Sequence, residues 1–196
     1  MGGITVRTAE RGDRAEVDAL HDREWAGPYV IAHDTRYDLR TLPTLVAVDG
    51  AAAVVGALAY RCDAEGLEVV SLVAAVPGRG AGTTLLAAAA STARAAGLHR
   101  LWLITTNDNL RALRFYQRRG LRLVGVDPGA VDRARRLKPE IPLVGEDGIP
   151  LHDELTLELR TAAGEPAGAA GSGPTRGADP GRRLACEPCP PRPGSP

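Results

Sequence analysis

The sequence predicts one α/β domain followed by a tail of different composition. Three observations support this prediction: strand-like and helix-like segments alternate, a Gly-rich turn joins a strand to a helix at residues 76–86, and the composition changes at residue 161. A chain of 196 residues is long enough for one domain with a sizeable core. We therefore predict a folded domain over residues 1–160. Residues 161–196, rich in Gly, Pro, Ala and Arg, are predicted to be a disordered tail.

The first third of the chain shows strand-like alternation, one helical pattern and a strong turn signal. Asp13 begins the helical pattern, and Asp49-Gly50 joins two apolar runs in the manner of a hairpin. Residues 26–43 have no clear period, and we interpret them as a mobile segment over a site that contains one helical turn. The predicted strands are 4–7, 44–48 and 54–61, and the predicted helix is 13–25.

The rest of the domain alternates short apolar strands with helices that end at recognisable stop signals. Gly97 ends the first of these helices and Pro139 the last. The predicted strands are 68–74, 101–105, 121–126 and 155–159, and the predicted helices are 82–96, 110–119 and 130–138.

The first chemical signal is the segment V-P-G-R-G-A-G-T-T-L-L at residues 76–86. A strand that enters a Gly-rich turn and a helix directs free backbone N–H groups and the positive helix dipole outwards, which favours an anion. Thr83 and Thr84 add hydroxyl donors, and Arg79 adds charge. The alternative is a tight turn without a ligand. The Lys-Ser/Thr of a P-loop is absent, and no acidic residue is placed as a dinucleotide fold requires.

The second signal is N-D-N-L-R-A-L-R-F-Y-Q-R-R-G-L at residues 107–121. Its spacing places Asn109, Ala112 and Tyr116 near one helical face, and Gly120 closes the helix. The pattern N-x-x-A-x-x-x-Y-x-x-x-G-[F/L] and the preceding Gly-rich loop occur in the same order in the Gcn5-related N-acetyltransferases, and the chain resembles this GNAT family. Pro77 is a departure, because Gln or Arg is usual at that position in the family loop.

This resemblance implies a mixed, mostly antiparallel central sheet flanked by helices, with two central strands that splay apart. Acetyl-CoA would lie in the gap as the acyl donor, and no metal would be needed. Backbone groups of Leu72, Val73 and Ala74 would pair with the pantetheine arm, much as an added strand would. Asn109 would also contact that arm. The pyrophosphate would be held by the loop residues Gly78, Arg79, Gly80, Ala81, Gly82, Thr83 and Thr84.

Direct acyl transfer to an amine requires a base and an acid. Glu68, at the start of the strand that lines the gap, is our candidate for the general base, and Asp153 and Glu154 are weaker candidates. Tyr116 would lie near the thioester sulfur and protonate the leaving thiolate. Each of these two residues also has an interpretation without catalysis. In it, Glu68 is an exposed carboxylate at a strand end, and Tyr116 is an aromatic side chain that packs on an amphipathic helix.

These features predict transfer of an acetyl group from acetyl-CoA to an amine of a small molecule or peptide. The alternative is a non-catalytic acyl-CoA-binding module that senses or regulates, and a longer acyl chain is a further possibility. We expect residues 137–154 and 26–43 to border the acceptor site. We predict that the wall of this site is formed by the side chains of Trp25, Tyr29, His33 and Tyr37.

Composition argues against several other classes of protein. The formal net charge is zero and aromatic residues make up 4% of the chain, which disfavours nucleic-acid binding. No apolar stretch is long enough to predict a membrane span. Three cysteines are too few for a disulfide framework, so we expect a cytoplasmic protein. Cys186 and Cys189 form a lone CxxC, which we interpret as incidental. Homodimers are common among the proteins that this chain resembles, so the resemblance also implies a homodimer as one oligomeric state.

Overall fold

The computed structural model describes residues 3–161, which form a seven-stranded sheet with helices on both faces. Thr161, the first residue of the predicted tail, is described and buried, and the rest of that tail, with Cys186 and Cys189, lies outside the described residues. In chain order the elements are β1 (Thr5–Thr8), α1 (Arg14–Trp25), β2 (Tyr29–Ala32), β3 (Thr35–Asp38), β4 (Thr44–Val48), β5 (Val54–Asp63), β6 (Gly66–Ala74), α2 (Ala81–Ala95), β7 (Arg100–Thr106), α3 (Leu110–Gln117), β8 (Arg122–Asp127), α4 (Ala130–Ala134) and β9 (Glu154–Arg160).

The strand order in the sheet is β1-β4-β5-β6-β7-β9-β8, and within it only β6 and β7 run parallel. The predicted mixed, mostly antiparallel sheet is therefore confirmed. β2 and β3 form a separate two-stranded hairpin. The parallel pair is possible because α2 crosses from the end of β6 to the start of β7, as parallel neighbours require.

The main core lies between the sheet and the α2–α3 side. Ala89, Ala90 and Ala93 of α2 are buried, and their small side chains let the helix backbone lie close to the sheet. The opposite face of the sheet is covered by α1 and by the β2–β3 hairpin, which bury Leu20 and Leu39. Helices α2 and α3 therefore cover one face of the sheet, whereas α1 and the β2–β3 hairpin cover the other. Side chains from both faces can reach a group that lies in a gap between two strands.

A gap of this kind opens between β6 and β7. The two strands pair only from Leu67 to Val69 of β6, although β6 continues to Ala74. At this point the register between β5 and β6 shifts, and Val70 is the extra residue. A bulge of this type bends the strand that contains it. The bend carries residues 70–74 away from β7 while they stay paired with β5. The predicted splayed strands are therefore present.

The segment that we interpreted as irregular, residues 26–43, is mostly a β-hairpin followed by one 3-10 turn. The prediction was wrong on this point because the hairpin turn contains no glycine. His33 and Asp34 form a two-residue turn in which both residues have positive φ, 50° and 57°. Turns of this geometry usually contain Asn-Gly or Asp-Gly, so the sequence lacked the ordinary signal. The single helical turn is Leu39–Thr41.

The remaining elements lie close to their predicted bounds, except α4. That helix ends at Ala134, four residues before the predicted end at Lys138. Lys138 instead donates its ammonium group to the carbonyl oxygens of Trp25 at 2.7 Å and Tyr29 at 3.1 Å. A cation at these carbonyls stabilises the C-terminal end of α1. Lys138 thereby fixes the start of the hairpin relative to that helix.

Candidate active site

The Gly-rich loop before α2 leaves open space around its backbone. Gly78 and Gly80 have φ values of 81° and 93°, and a Cβ atom at either position would meet nothing within 4 Å. Only glycine adopts such φ values without strain. Gly80 caps α2, so the first N–H groups of the helix, from Ala81 onwards, point towards this space. The loop therefore has a backbone geometry that suits an anion, and the anion cradle stays a prediction.

The loop side chains predicted to assist the cradle have different surroundings. The Thr84 hydroxyl donates to the Gly80 carbonyl at 3.0 Å, which ties the loop to the first turn of α2. Thr83 is exposed, and its hydroxyl accepts from Arg119. Arg79 is exposed and makes no hydrogen bond or ion pair with any residue from 3 to 161. Its side chain is available to an anion in the loop.

Arg119 is a cation at the cradle that sequence reasoning missed. Its Nε lies 2.9 Å from the Thr83 hydroxyl, and its Nη1 donates to the Phe115 carbonyl at 2.8 Å. Its guanidinium lies over the Phe115 ring, 3.6 Å from the centroid. Burial and the neighbouring Arg118 lower the pKa of Arg119. A cation held beside the positive end of α2 is unfavourable unless an anion joins it, so the arrangement favours a phosphate.

Phe115 also explains why Gly82 is required. A Cβ atom at Gly82 would lie 3.2 Å from the end of the Phe115 ring, which is tighter than ordinary packing. The close approach of α2 and α3 at this point brings Arg119 to the loop. Glycine at 82 therefore acts through helix packing, while the glycines at 78 and 80 act through backbone conformation.

The strand before the loop presents a free edge to the gap. Leu72, Val73 and Ala74 pair with β5 on one side, and their other side lies beyond the last pair with β7. Val73 packs on the α1 face, whereas Leu72 and Ala74 pack on the α2 face. An extended ligand can add to a free strand edge through main-chain hydrogen bonds. The free edge of these three residues therefore has the geometry that main-chain pairing with a pantetheine arm would require.

Asn109 and Tyr116 belong to α3 on the same side of the sheet as α2. Asn109 caps the helix, because its Oδ1 accepts from the N–H of Ala112 at 2.9 Å. Tyr116 is buried, and its ring contacts Phe115 edge-on at a centroid distance of 5.2 Å. Burial raises the pKa of the Tyr116 phenol, with a smaller contribution from Glu24 of α1. The phenol therefore keeps its proton at neutral pH.

Glu68 is a buried, ion-paired carboxylate rather than an exposed strand end. Its Oε2 accepts from Arg61 at 3.0 Å, and Arg61 also pairs with Asp63 at 2.7 Å. The Nε2 atom of His33 lies 3.6 Å from Glu68 Oε1. The His33 ring packs against Trp102 with centroids 5.1 Å apart. Glu68 therefore lies under the hairpin turn, on the opposite face of the sheet from Tyr116.

Glu154 lies on the same face as Glu68 and differs from it in charge compensation. The side chain is buried, with 4% of the residue exposed, and Oε2 accepts from the backbone N–H of His33 at 3.4 Å. Within residues 3–161 no Arg or Lys lies within ion-pair distance of it. Burial raises the pKa of Glu154 to about 7, and Asp127 and Asp34 add to the increase. A carboxyl with this pKa exchanges protons near neutral pH.

The neighbouring Asp153 has the opposite properties. Its Oδ1 accepts from the N–H of Gly129 at 2.9 Å, and the pKa of Asp153 is lowered by that bond and by His152. Asp153 is thus fixed as an acceptor in the loop before β9. Adjacent carboxyl groups with pKa values shifted in opposite directions have different chemical uses, and only Glu154 suits proton transfer at neutral pH.

The predicted acceptor wall is only partly assembled. His33 and Tyr37 face the sheet, and the Tyr37 hydroxyl accepts from Arg61 at 3.4 Å. Trp25 donates its indole N–H to Ser71 of β6 at 3.0 Å, beside the gap. Tyr29 lies on the outer face of the hairpin, where Arg36 and Arg40 cover its ring. Tyr29 does not line the same space as the others.

The Gly-rich loop at residues 78–84 follows the free edge of β6. A buried phenol, that of Tyr116, lies on one face of the sheet, and two buried carboxyl groups, those of Glu68 and Glu154, lie on the other. The sequence profile of the Acetyltransferase (GNAT) family matches residues 13–121, which contain the cradle, the gap and α3. The chain belongs to the GNAT acetyltransferase family.

Comparison with known proteins agrees with this membership. The chain is 38% identical over 133 residues to the uncharacterized protein YdhI of Bacillus subtilis, covering 68% of this chain and 83% of YdhI. It is 36% identical over 141 residues to the uncharacterized protein YxbD of the same organism, covering 72% of this chain and 89% of YxbD. This GNAT chain also has the fold of a GNAT acetyltransferase from Elizabethkingia anophelis solved with acetyl-CoA bound. The TM-score is 0.61 at 20% identity, and the match covers 81% of this chain and 98% of that one.

Among residues 3–161, no helix is both long enough and apolar enough to cross a membrane. No group of three or more His, Cys, Asp or Glu side chains in that range is placed to hold a metal ion.

The buried Arg61–Glu68 pair yields a stability prediction. Arg61→Met removes the main cationic partner of a buried carboxylate, so we expect the free energy of unfolding to fall by about 3–5 kcal/mol. Arg61→Met/Glu68→Gln leaves no buried charge at the pair and should recover most of that loss. Urea unfolding at pH 7 measures both. A loss below about 1 kcal/mol for Arg61→Met would contradict the buried, paired state of Glu68.

Proposed function

We propose that the protein transfers an acetyl group from acetyl-CoA directly to an amine of a small molecule or peptide. One observation carries the proposal: β6 turns away from β7 after Val69, and its free edge leads directly into the Gly-rich loop at the start of α2. A pyrophosphate-bearing thioester is a donor whose length matches such an arrangement. Family membership supports acetyl transfer in general, and the site chemistry supports the amine.

Acetyl-CoA fits the residues that are present. N–H groups at the start of α2 and the side chains of Arg79 and Arg119 would hold its phosphates. The free edge of residues 72–74 would pair with the pantetheine arm, and the side-chain amide N–H groups of Asn109 remain for the same arm because only its oxygen caps α3. Pro77 stands where the family loop usually has Gln or Arg and therefore supplies no charge. Arg119, two residues after the end of α3, would supply a positive charge instead.

The acceptor nitrogen must be neutral before it attacks. An alkylamine with a pKa of about 10.4 is about 99.9% protonated at pH 7, and deprotonation then costs about 4 to 5 kcal/mol. A positioned carboxylate lowers this cost. Glu68 remains our predicted base from the sequence, although its pair with Arg61 gives it a structural role. Glu154 on the same face is the second buried carboxyl group available.

In this proposal Tyr116 protonates the leaving thiolate. As the nitrogen–carbon bond forms and the carbon–sulfur bond breaks, the sulfur gains negative charge and takes the phenolic proton. The surplus proton on the new amide nitrogen then restores the phenol. The backbone N–H of Val73, on the free edge of β6, would meet the charge that develops on the thioester oxygen.

A non-catalytic acyl-CoA-binding module remains the alternative function. The loss of the usual Gln or Arg at Pro77 favours it, because that change weakens the family loop. Two observations favour the enzyme instead. Arg119 restores a cation at the loop, and a sensor has no need for a buried phenol and a buried carboxyl group with a pKa of about 7 on opposite faces of the gap.

Replacement of Tyr116 by Phe tests catalysis directly. The variant keeps the ring packing and removes the proton, so we expect the rate of CoA release with an amine acceptor to fall by roughly 100-fold or more. Acetyl-CoA binding should change little. Tyr29→Phe is the matched control, because it removes a hydroxyl from the outer face of the hairpin. Equal, measurable rates in wild-type protein and Tyr116→Phe would contradict the proposed acid, whereas acetyl-CoA binding without transfer in either protein would favour a sensor.

Replacement of Arg119 by Ala tests the phosphate cradle. Loss of one charge-assisted contact of about 1.5–3 kcal/mol should raise the Kd for acetyl-CoA by roughly 10- to 100-fold. Isothermal titration calorimetry measures the change. Arg114→Ala removes the same charge from an exposed position on the same helix and should alter Kd by less than about threefold. Similar effects of the two substitutions would show that Arg119 acts only through net charge.

A further inference from the structure

We propose that Glu154 accepts the proton of the incoming ammonium group, and that the acceptor is a cationic primary amine without a carboxylate beside its nitrogen. This inference rests on the proposed function and names the base and the acceptor class of that site. It departs from the sequence-based prediction that Glu68 is the base. Four features of the described residues support it: burial, charge balance, position relative to the gap, and an unsatisfied donor nearby.

The first feature is that, within residues 3–161, no cation forms an ion pair with the buried carboxyl group of Glu154. Glu68 lies against the Arg61 guanidinium at 3.0 Å, which stabilises its ionised form. Glu154 is equally buried but, within residues 3–161, it accepts only the N–H of His33 at 3.4 Å. A carboxylate without a compensating cation is unstable in a buried site and takes up a proton readily. Glu154 is therefore the better proton acceptor of the two.

The second feature is the charge around Glu154. The groups that face it are Asp34 of the hairpin turn, Asp127 of β8 and Arg133 of α4. Arg133 is already shared, because it contacts Asp34 at 3.1 Å and Asp127 at 2.6 Å. The carboxyl groups of Glu154, Asp34 and Asp127 therefore have one guanidinium group, that of Arg133, near them. An ammonium ion beside Glu154 would reduce the excess negative charge, whereas a second carboxylate would increase it.

The third feature is the position of Glu154 relative to the gap. It begins β9 and pairs with Thr106, the last residue of β7, which is the strand on the far side of the gap. Adjacent strands are about 5 Å apart, so the backbone of Glu154 lies one strand spacing from the end of β7. Glu154 lies on the hairpin face and Tyr116 on the opposite face. The amine therefore approaches from one face while the thiolate is protonated from the other.

The hairpin turn connects this carboxyl group to the rest of the acceptor face. His33 donates its backbone N–H to Glu154, its Nε2 lies 3.6 Å from Glu68, and its ring packs on Trp102. His33 and Asp34 keep positive φ although neither is glycine, which costs free energy. Such strain persists where surrounding contacts impose it, and here the Arg133–Asp34 pair does so. The turn is held in place over the two carboxyl groups.

The fourth feature is an unsatisfied donor on the same face. The Trp102 indole N–H is buried and has no acceptor within residues 3–161. Buried donors without partners are rare in folded proteins and call for a bound water or ligand atom. Trp102 packs on His33, so its N–H lies on the same face of the sheet as the two carboxyl groups. A donor suits an oxygen atom of the acceptor or a water that accompanies it.

The proton balance of the step is complete. The Glu154 carboxylate takes one proton from the ammonium group, and the neutral nitrogen then bonds to the thioester carbon. The carbon–sulfur bond breaks, and the thiolate takes the proton of Tyr116. The second nitrogen proton returns to Tyr116, and Glu154 releases its proton to solvent. The net products are the amide, free CoA and one proton.

The first test is the pH dependence of stability, which requires no acceptor. The folded-state pKa of about 7 lies above the ordinary 4.5, so ionisation penalises the fold as pH rises from about 4.5 to 7. In full-length protein, Glu154→Gln should match the wild-type Tm at pH 5 and exceed it by about 5 °C or more at pH 8.

Glu158→Gln, on the same strand and face but paired with Arg100, is the control. Its Tm should not rise at pH 8. A Glu154→Gln Tm at or below wild type at pH 8 would overturn the inference.

The second test measures acetyl transfer to matched acceptors by CoA release. We expect 2-phenylethylamine and agmatine to react at least 10-fold faster than phenylalanine and arginine, which differ from them by one carboxylate. In wild-type protein kcat/KM should fall below about pH 7. In Glu154→Gln it should fall by roughly 100- to 10,000-fold and lose that pH dependence. Glu154→Asp, which keeps the carboxyl group, should recover part of the rate.

The outcomes separate this inference from the proposed function. If wild-type protein acetylates these amines and Glu154→Gln keeps the wild-type rate and pH profile, the base is not Glu154 and the acetyltransferase proposal stands. Faster transfer to the amino acids than to their amines would overturn the acceptor class. If no member of either pair is acetylated although acetyl-CoA binds, the inferred acceptor class fails, whereas the proposed function then rests on transfer to a peptide amine.

Discussion

The divergence of β6 from β7 is the constraint on which the rest of the site depends. Three paired positions hold the strands together, and the bulge at Val70 then turns β6 away. Because β6 stays paired with β5, the sheet keeps its core while one strand edge becomes free. The same divergence directs the chain into the Gly-rich loop and sets the start of α2 at the mouth of the gap. Without it, the edge of β6 at residues 72–74 would be paired with β7 and closed to a ligand.

The gap also explains why the two faces of the sheet carry different chemistry. On the α2–α3 face, close packing of small residues buries Tyr116 and keeps its phenol protonated. On the other face, the hairpin covers two carboxyl groups in different electrostatic settings. Glu68 is balanced by Arg61 and stabilises the strand pair, whereas Glu154 has no such partner. A group that costs stability when ionised is retained where its proton affinity is useful.

Much of the fold was predictable because its signals are local. The turn at Asp49-Gly50, the cap at Asn109 and the stop at Gly97 each act within a few residues, and the corresponding elements lie within about two residues of their predicted bounds. The β2–β3 hairpin was missed because His33 and Asp34 replace the usual glycine, and tertiary contacts impose their conformation.

The parts of the site that the sequence did not reveal depend on contacts between distant segments. Arg119 reaches Thr83 only because α2 and α3 pack closely around Phe115. Glu154 and Glu68 look alike in the sequence, since each begins a strand. Their difference arises from Arg61 across one hairpin and from His33, which is 121 residues away from Glu154. Burial and charge compensation of this kind have no signature in residue spacing.

The central claim is that the gap between β6 and β7, with its Gly-rich loop, binds acetyl-CoA. The most direct test is the Tm of the full-length protein with and without acetyl-CoA, with NAD as a pyrophosphate-bearing control. Ligand at 100 times its Kd adds about 2.7 kcal/mol, which corresponds to a rise of about 5–10 °C in a domain of this size. We predict that rise with acetyl-CoA and none with NAD. An unchanged Tm at millimolar acetyl-CoA, or equal shifts with both compounds, would contradict the account.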